Sequence, residues 1–136
     1  MKKLLTIILC FVTVSLFSQT AEYKEIKALL LSEGYEVSTE QYADLAQGET
    51  AGHTKTFYEG NDYIIVAVSD DDDVSDVDIY LNYTNGDNYD KDTSVDNSAI
   101  LTFSPSFTRE MRVVIKNYAS STPTYQSRCR FIIAYK

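Results

Sequence analysis

The residues of this chain whose type and spacing could do chemistry are mostly carboxylates, and they fall into two groups. Asp70, Asp72, Asp76 and Asp78 form the first, and Asp87, Asp90, Asp92 and Asp96 the second. Hard oxygen donors clustered on polar loops are what calcium takes, about six to eight per site. Neither group has the EF-hand spacing, because Gly86 precedes the acids instead of standing at the sixth loop position. A hydrated acidic loop that keeps the chain soluble is the plainer explanation and stands ahead of calcium. No cofactor is expected beyond that one candidate ion, and no residue is assigned as a metal ligand.

Nucleophilic catalysis is limited by inventory. Past the N-terminal stretch the chain holds one histidine, His53, and one cysteine, Cys129, so a Ser-His-Asp or Cys-His constellation would have to use His53. Cys129 sits in an apolar alternation, where a free thiol behaves as a small inert hydrophobe, and His53 reads as a strand-edge residue. Zinc sites draw on several His or Cys ligands, which are missing here. A glycosidase needs two acids across a cleft, one with its pKa raised by apolar surroundings. These aspartates lie in polar sequence, and nothing in it buries one of them. The chain is therefore expected not to be an enzyme, with no catalytic residue assigned.

Eleven tyrosines and no tryptophan point instead toward contact chemistry. Tyr58, Tyr80 and Tyr89 are candidates for stacking on a sugar or meeting a protein surface, since their rings are amphipathic. Sheets are rich in tyrosine for packing reasons alone, which weighs against that assignment.

The elements that must position these residues are mostly strands. Asp76 to Tyr83 alternates strictly: Val77, Ile79, Leu81 and Tyr83 fall on one face and Asp76, Asp78, Tyr80 and Asn82 on the other. Tyr63 to Val68 is a continuous β-branched run, expected to be a central strand covered on both faces. Gly52 to Tyr58 alternates, with His53, Lys55 and Phe57 opposite Thr54, Thr56 and Tyr58, and Glu59-Gly60-Asn61-Asp62 makes a tight connection. Ala99 to Phe103, Met111 to Tyr118 and Ser127 to Tyr135 complete the clear strands; the last sends Cys129, Phe131, Ile133 and Tyr135 inward and Arg128 and Arg130 outward. Tyr35 to Val37 is a weak first strand, Ser38 to Gly48 is polar with a helical turn around Glu40 to Leu45, and Asn85 to Ser98 is a long exposed loop. Residues 22 to 33 place Tyr23, Ile26 and Leu30 at helical spacing before Gly34, an amphipathic helix with a glycine cap and Thr20 as its N-cap. The pattern is all-β: an antiparallel, jelly-roll-like β-sandwich with one short N-terminal α-helix.

The N-terminus carries the signature of export. Lys2 and Lys3 precede an apolar run from Leu4 to Phe17, and cleavage is expected after Ser18, giving residues 1–18 as signal peptide, 19–47 as helix and linker, and 48–136 as the sandwich. The run is shorter than the roughly 20 residues a spanning helix needs. Cys10 lies inside it without the small residues of a lipobox. Loss of the leader takes the formal charge from −8 to −10, which repels phosphate backbones and anionic membranes, so neither nucleic acid nor membrane is expected as a partner. The remaining chain has one cysteine and forms no internal disulfide. An exported compartment, periplasmic or secreted, is implied.

Several short motifs in order resemble the bacterial pre-peptidase C-terminal domain. They are Gly60-Asn61-Asp62-Tyr63, Asp76-Val77-Asp78-Ile79-Tyr80-Leu81, Asn85-Gly86, Asp92, Asn97, Leu101-Thr102-Phe103-Ser104-Pro105 and Val113-Val114-Ile115-Lys116-Asn117-Tyr118. The resemblance covers about residues 48 to 136. It implies a jelly-roll-like sandwich of the sort appended to secreted hydrolases, some of which bind calcium or polymeric substrates. This chain departs from the pattern at Arg109-Glu110-Met111, and the catalytic domain on which the family normally rides is not expected here. The expected function is a non-catalytic module that binds an extracellular glycan, a protein surface or a calcium-bridged partner. A structural, accessory or inhibitory protein acting through its helix or a sheet edge is the alternative.

Overall fold

The structure, a computed structural model, describes residues 22–136. The expected leader, its cleavage after Ser18 and the Thr20 cap lie outside the described residues. Helix α1 (22–32) is followed by strands β1 (Glu36–Leu45), β2 (Thr50–Phe57), β3 (Tyr63–Ser69), β4 (Val74–Tyr83), β5 (Asn88–Asp92), β6 (Ser98–Phe103), β7 (Arg109–Ser120) and β8 (Ser127–Tyr135). They make two four-stranded antiparallel sheets: sheet A in the order β1-β8-β3-β6 and sheet B in the order β2-β7-β4-β5. Only β4 and β5 adjoin in both chain and sheet. Every other connection crosses between the sheets, which is the strand order of a jelly roll.

The main core lies between the sheets. Val77, Ile79 and Leu81 of β4 pack there with Phe57, Ile65, Met111, Val113, Ile115, Phe131 and Ile133, while Tyr83 sits at the rim. Each fully buried aliphatic side chain of this kind contributes roughly 1.5–3 kcal/mol. The run Tyr63 to Val68 has no polar face because β3 is covered twice. Ile65 and Ala67 face the inter-sheet core, and Val66 and Val68 face a second cluster beneath α1.

That second cluster is built by the helical spacing. Tyr23, Ile26 and Leu30 set α1 on Val66, Val68, Ile132 and Ala134 of sheet A, leaving Leu29 and Leu31 exposed. The helix stops as its glycine signalled. Tyr35 N donates to Leu30 O at 3.0 Å and Gly34 N to Leu31 O at 3.2 Å, with Gly34 at φ 86°, the paired bonds of a Schellman cap.

Two expectations fail. Residues 40–45, expected as a helical turn within a linker, belong to β1, which hydrogen-bonds along β8 from Glu36 to Leu45. As an edge strand with only Leu45 fully buried, β1 needs no hydrophobic alternation, and a bulge between Val37 and Thr39 breaks what pattern there is. Residues 85–98, expected as one long loop, contain β5, paired with β4. The turn between them closes with Gly86 N to Tyr83 O at 3.0 Å and Tyr83 N to Asp87 O at 2.8 Å, and Gly86 at φ 94° takes the left-handed position.

Candidate functional site

On the outer face of sheet B the ladders bring outward residues into rows. Gly52, Val114, Tyr80 and Lys91 lie across from one another on β2, β7, β4 and β5; Thr54, Arg112 and Asn82 form the next row, and Thr50, Lys116 and Asp78 the one beyond. Thr50, Thr54, Arg112, Tyr118 and Lys91 are exposed. The long side chains lie flat across this face. Arg112 occupies the space above Gly52, where a Cβ would collide with its guanidinium, and Lys116 Nζ sits 5.1 Å from the centre of the Tyr118 ring. The result is a broad polar surface with one half-buried ring, Tyr80, near its middle.

Beneath it lies an unusual acid. Asp78 is 2% exposed, and its Oδ2 accepts the Tyr80 hydroxyl at 3.2 Å while Oδ1 is buried with no partner among the described residues. Burial pushes its carboxyl above the ordinary value; the Tyr80 hydroxyl and the charge of Lys116 oppose the rise, and Asp76 and Asp92 add to it. The Tyr80 phenol is raised in turn, by burial and by Asp78. Tyr80 is thus held as a hydrogen-bond donor with its ring fixed in the face.

The expectation that Asp76 and Asp78 stand on a hydrated surface is corrected here: Asp76 is 4% exposed and Asp78 2%. The strand is bulged at Asp76, and the 93–97 segment runs beside it, with Val77 N to Asp96 O at 2.8 Å and Asp96 N to Asp76 Oδ1 at 3.4 Å. Several of the other acids close turns. Asp92 takes Ser94 N and Oγ on one oxygen and Ile100 N on the other; burial raises its pKa, but these hydrogen bonds outweigh it and leave the carboxyl lowered. Asp71 Oδ1 accepts Asp73 N, Asp73 Oδ1 accepts Thr122 N, and Asp70 pairs with Arg130. Among the described residues, no three His, Cys, Asp or Glu side chains come together as a metal site. Cys129 is fully buried and its thiol is pushed up to about 11, mainly by that burial. His53, on edge strand β2, is half-buried, its ring centre 6.1 Å from that of Phe131.

A second surface lies at one end of the sandwich, where the β2–β3, β4–β5 and β6–β7 connections meet. Arg109 Cζ lies 3.5 Å from the Phe107 ring centre and 5.1 Å from that of Tyr83, beside Tyr89. Tyr58, Tyr89 and Phe107 are exposed there. Tyr58 and Tyr89 were accessible to sequence reasoning; Phe107 and Arg109 were not, since only their spacing across a turn, which has no signature of its own, brings them together.

No protein-family model and no curated protein sequence matches the chain. Solved structures share its fold. A periplasmic inhibitor of g-type lysozyme from Aeromonas hydrophila, PliG, is similar with a TM-score of 0.51 at 10% identity, covering 76% of this chain and 90% of that one. A structure described as a CBM4 gives a TM-score of 0.46 at 13% identity over 76% and 79% of the two chains. A carbohydrate-binding module CBM36 in complex with calcium and xylotriose gives 0.39 at 12% identity over 76% and 95%. At such identities the likeness is one of fold.

Proposed function

We propose that this chain is an exported, non-catalytic module that binds an extracellular glycan on the outer face of sheet B. The observation that carries the proposal is the difference between the two outer faces: α1 closes that of sheet A over an apolar cluster, whereas that of sheet B stays polar and exposed around a fixed tyrosine. Arg112, Lys116, Lys91, Asn82 and Thr54 offer donors and acceptors at strand spacing, and Tyr80 offers a half-buried ring whose hydroxyl is held by Asp78. That mixture suits a polyhydroxylated ligand, which needs many modest hydrogen bonds and an apolar surface for its ring faces. Membership of the pre-peptidase C-terminal family belongs to the same proposal and rests on the motifs at Gly60 to Tyr63 and Asp76 to Leu81. Export rests on the leader-like N-terminus; no helix among the described residues is long and apolar enough to cross a membrane.

Affinity electrophoresis through gels containing xylan, mannan or mixed-linkage β-glucan tests it. Retardation by at least one of them, lost in Tyr80→Ala and Arg112→Ala with unchanged melting, is the expected outcome. Equal mobility of wild type and both variants in every gel would overturn it. A second proposal, docking on a protein as an accessory or inhibitory factor, is favoured by the Phe107, Arg109 and Tyr89 cluster, because exposed aromatic and arginine anchors are typical of protein interfaces. Phe107→Ala and Arg109→Ala separate the two: they abolish capture of a protein partner and leave glycan retardation intact.

A further inference from the structure

A groove lies on the other side of the molecule from the open face, where α1 meets β1. We propose that it is a second site, separate from the face of sheet B, for an acidic saccharide, a sugar ring that carries a carboxylate. Tyr23, Lys24 and Lys27 of α1, Glu40, Gln41 and Tyr42 of β1 and Arg130 of β8 line a groove of about 380 Å³, within the size range of small-ligand sites.

Cations and rings alternate along it. Arg130 Cζ lies 5.3 Å from the Tyr23 ring centre and 5.5 Å from that of Tyr42, and Arg128 Cζ lies 4.2 Å from the Tyr42 ring centre. Stacking of this kind holds a guanidinium in a fixed plane, which prepares it for two-point contact with a carboxylate. Arg130 is held further by its Nε, 2.5 Å from Asp70 Oδ2, while its two terminal nitrogens have no hydrogen-bond partner among the described residues. Lys24 likewise has no carboxylate within reach among the described residues. Lys27 differs, because Glu40 neutralises it at 2.9 Å.

The groove therefore offers the Lys24 ammonium and the two terminal nitrogens of an Arg130 already paired with Asp70 through Nε, in a chain whose formal charge is −8. Against that net charge the groove's unbonded donors attract an anion locally, as Lys91, Arg112 and Lys116 do on the open face. The remaining groups select a sugar. Tyr42 is 57% exposed. Gln41 supplies an amide, and the Tyr23 phenol, pushed up to about 12 by burial and by its bond to Glu40, keeps its proton across the physiological range. An acidic peptide presents carboxylates in series and would need more unpaired cations in a row than this groove has.

Isothermal titration with oligogalacturonate tests the assignment, against the same oligosaccharide fully methyl-esterified and against poly-glutamate. The acid form is expected to bind, more weakly as salt rises, and to lose about tenfold or more in affinity on esterification. Tyr42→Ala and Lys24→Gln change exposed residues and are expected to keep the melting temperature while weakening binding about tenfold. Tyr80→Ala and Arg112→Ala are expected to leave it unchanged, which separates this site from the open face. No heat at millimolar acid form, equal binding of the ester, tighter binding of poly-glutamate, or indifference to both groove substitutions would each overturn the proposal.

Discussion

On sheet A the outward side chains of the inner strand β8 include Ile132 and Ala134; on sheet B those of the inner strand β7 are Glu110, Arg112, Val114, Lys116 and Tyr118. Both strands turn an apolar row toward the common core, with Cys129, Phe131 and Ile133 on one and Met111, Val113 and Ile115 on the other. The outward rows show what each sheet meets next. The apolar end of the β8 row requires a cover, and α1 supplies it; a row of charged and amphipathic side chains with one valine requires none. The contrast leaves the outer face of sheet B as the surface on which the proposed binding is to be tested.

The largest test of that contrast is a pair of truncations. Ile132→Ala, beneath α1, is expected to cost about 3 kcal/mol in urea unfolding, and Val114→Ala, on the open face, about 1 kcal/mol or less. Comparable losses would mean that the face of sheet B is as much a packing surface as that of sheet A. Next comes the buried amide at the far end of β7. Asn117 is fully buried, donating from Nδ2 to Leu45 O at 3.0 Å and accepting Ser120 Oγ at 2.9 Å. Asn117→Ala strands those partners and is expected to cost about 2 kcal/mol.

A smaller effect is expected at Asp78, with a sign set by its raised pKa. Its protonated form is favoured in the folded state, so the stability it contributes is fully present below the ordinary carboxylate range and is lost as pH rises through the raised folded value. Asp78→Asn is therefore expected to melt higher than wild type at neutral pH, with the gap closing as pH falls toward 4. A gap that widens on acidification would contradict the burial argument. The smallest effect is expected for Asp44→Ala: its ion pair with Arg128 is exposed on both sides, and the melt should not move.

Much of this fold was legible in the sequence where burial imposes a pattern. The alternation of β4, the uninterrupted run of β3 and the Tyr23, Ile26 and Leu30 stripe of α1 each marked the face that is buried. What was missed lies where burial imposes nothing. Strand β1 is mostly exposed and its Glu-Gln-Tyr-Ala-Asp-Leu stretch is as suited to a helix as to a strand; β5, Asn88–Asp92, has no fully buried residue at all. The Asn85-Gly86 pair did signal β5, since a strand ending in such a turn is followed by its hairpin partner. In the candidate site, the outward position of Tyr80 was readable from period two. The burial of Asp78 was not, because it depends on cross-strand neighbours such as Lys116, which reach it only in three dimensions. Arg112 over Gly52 is a cross-strand relation that needs the register.

The most direct test of the open face as the binding surface is a map of backbone amide shifts while a neutral oligosaccharide, taken from the polysaccharide that retards the protein most, is added. Shifts centred on residues 52–54, 78–82, 91 and 112–116, with those of α1 unmoved, are the expected result. Shifts centred instead on 58–62 and 104–109 would contradict it and move the function to the aromatic end of the sandwich.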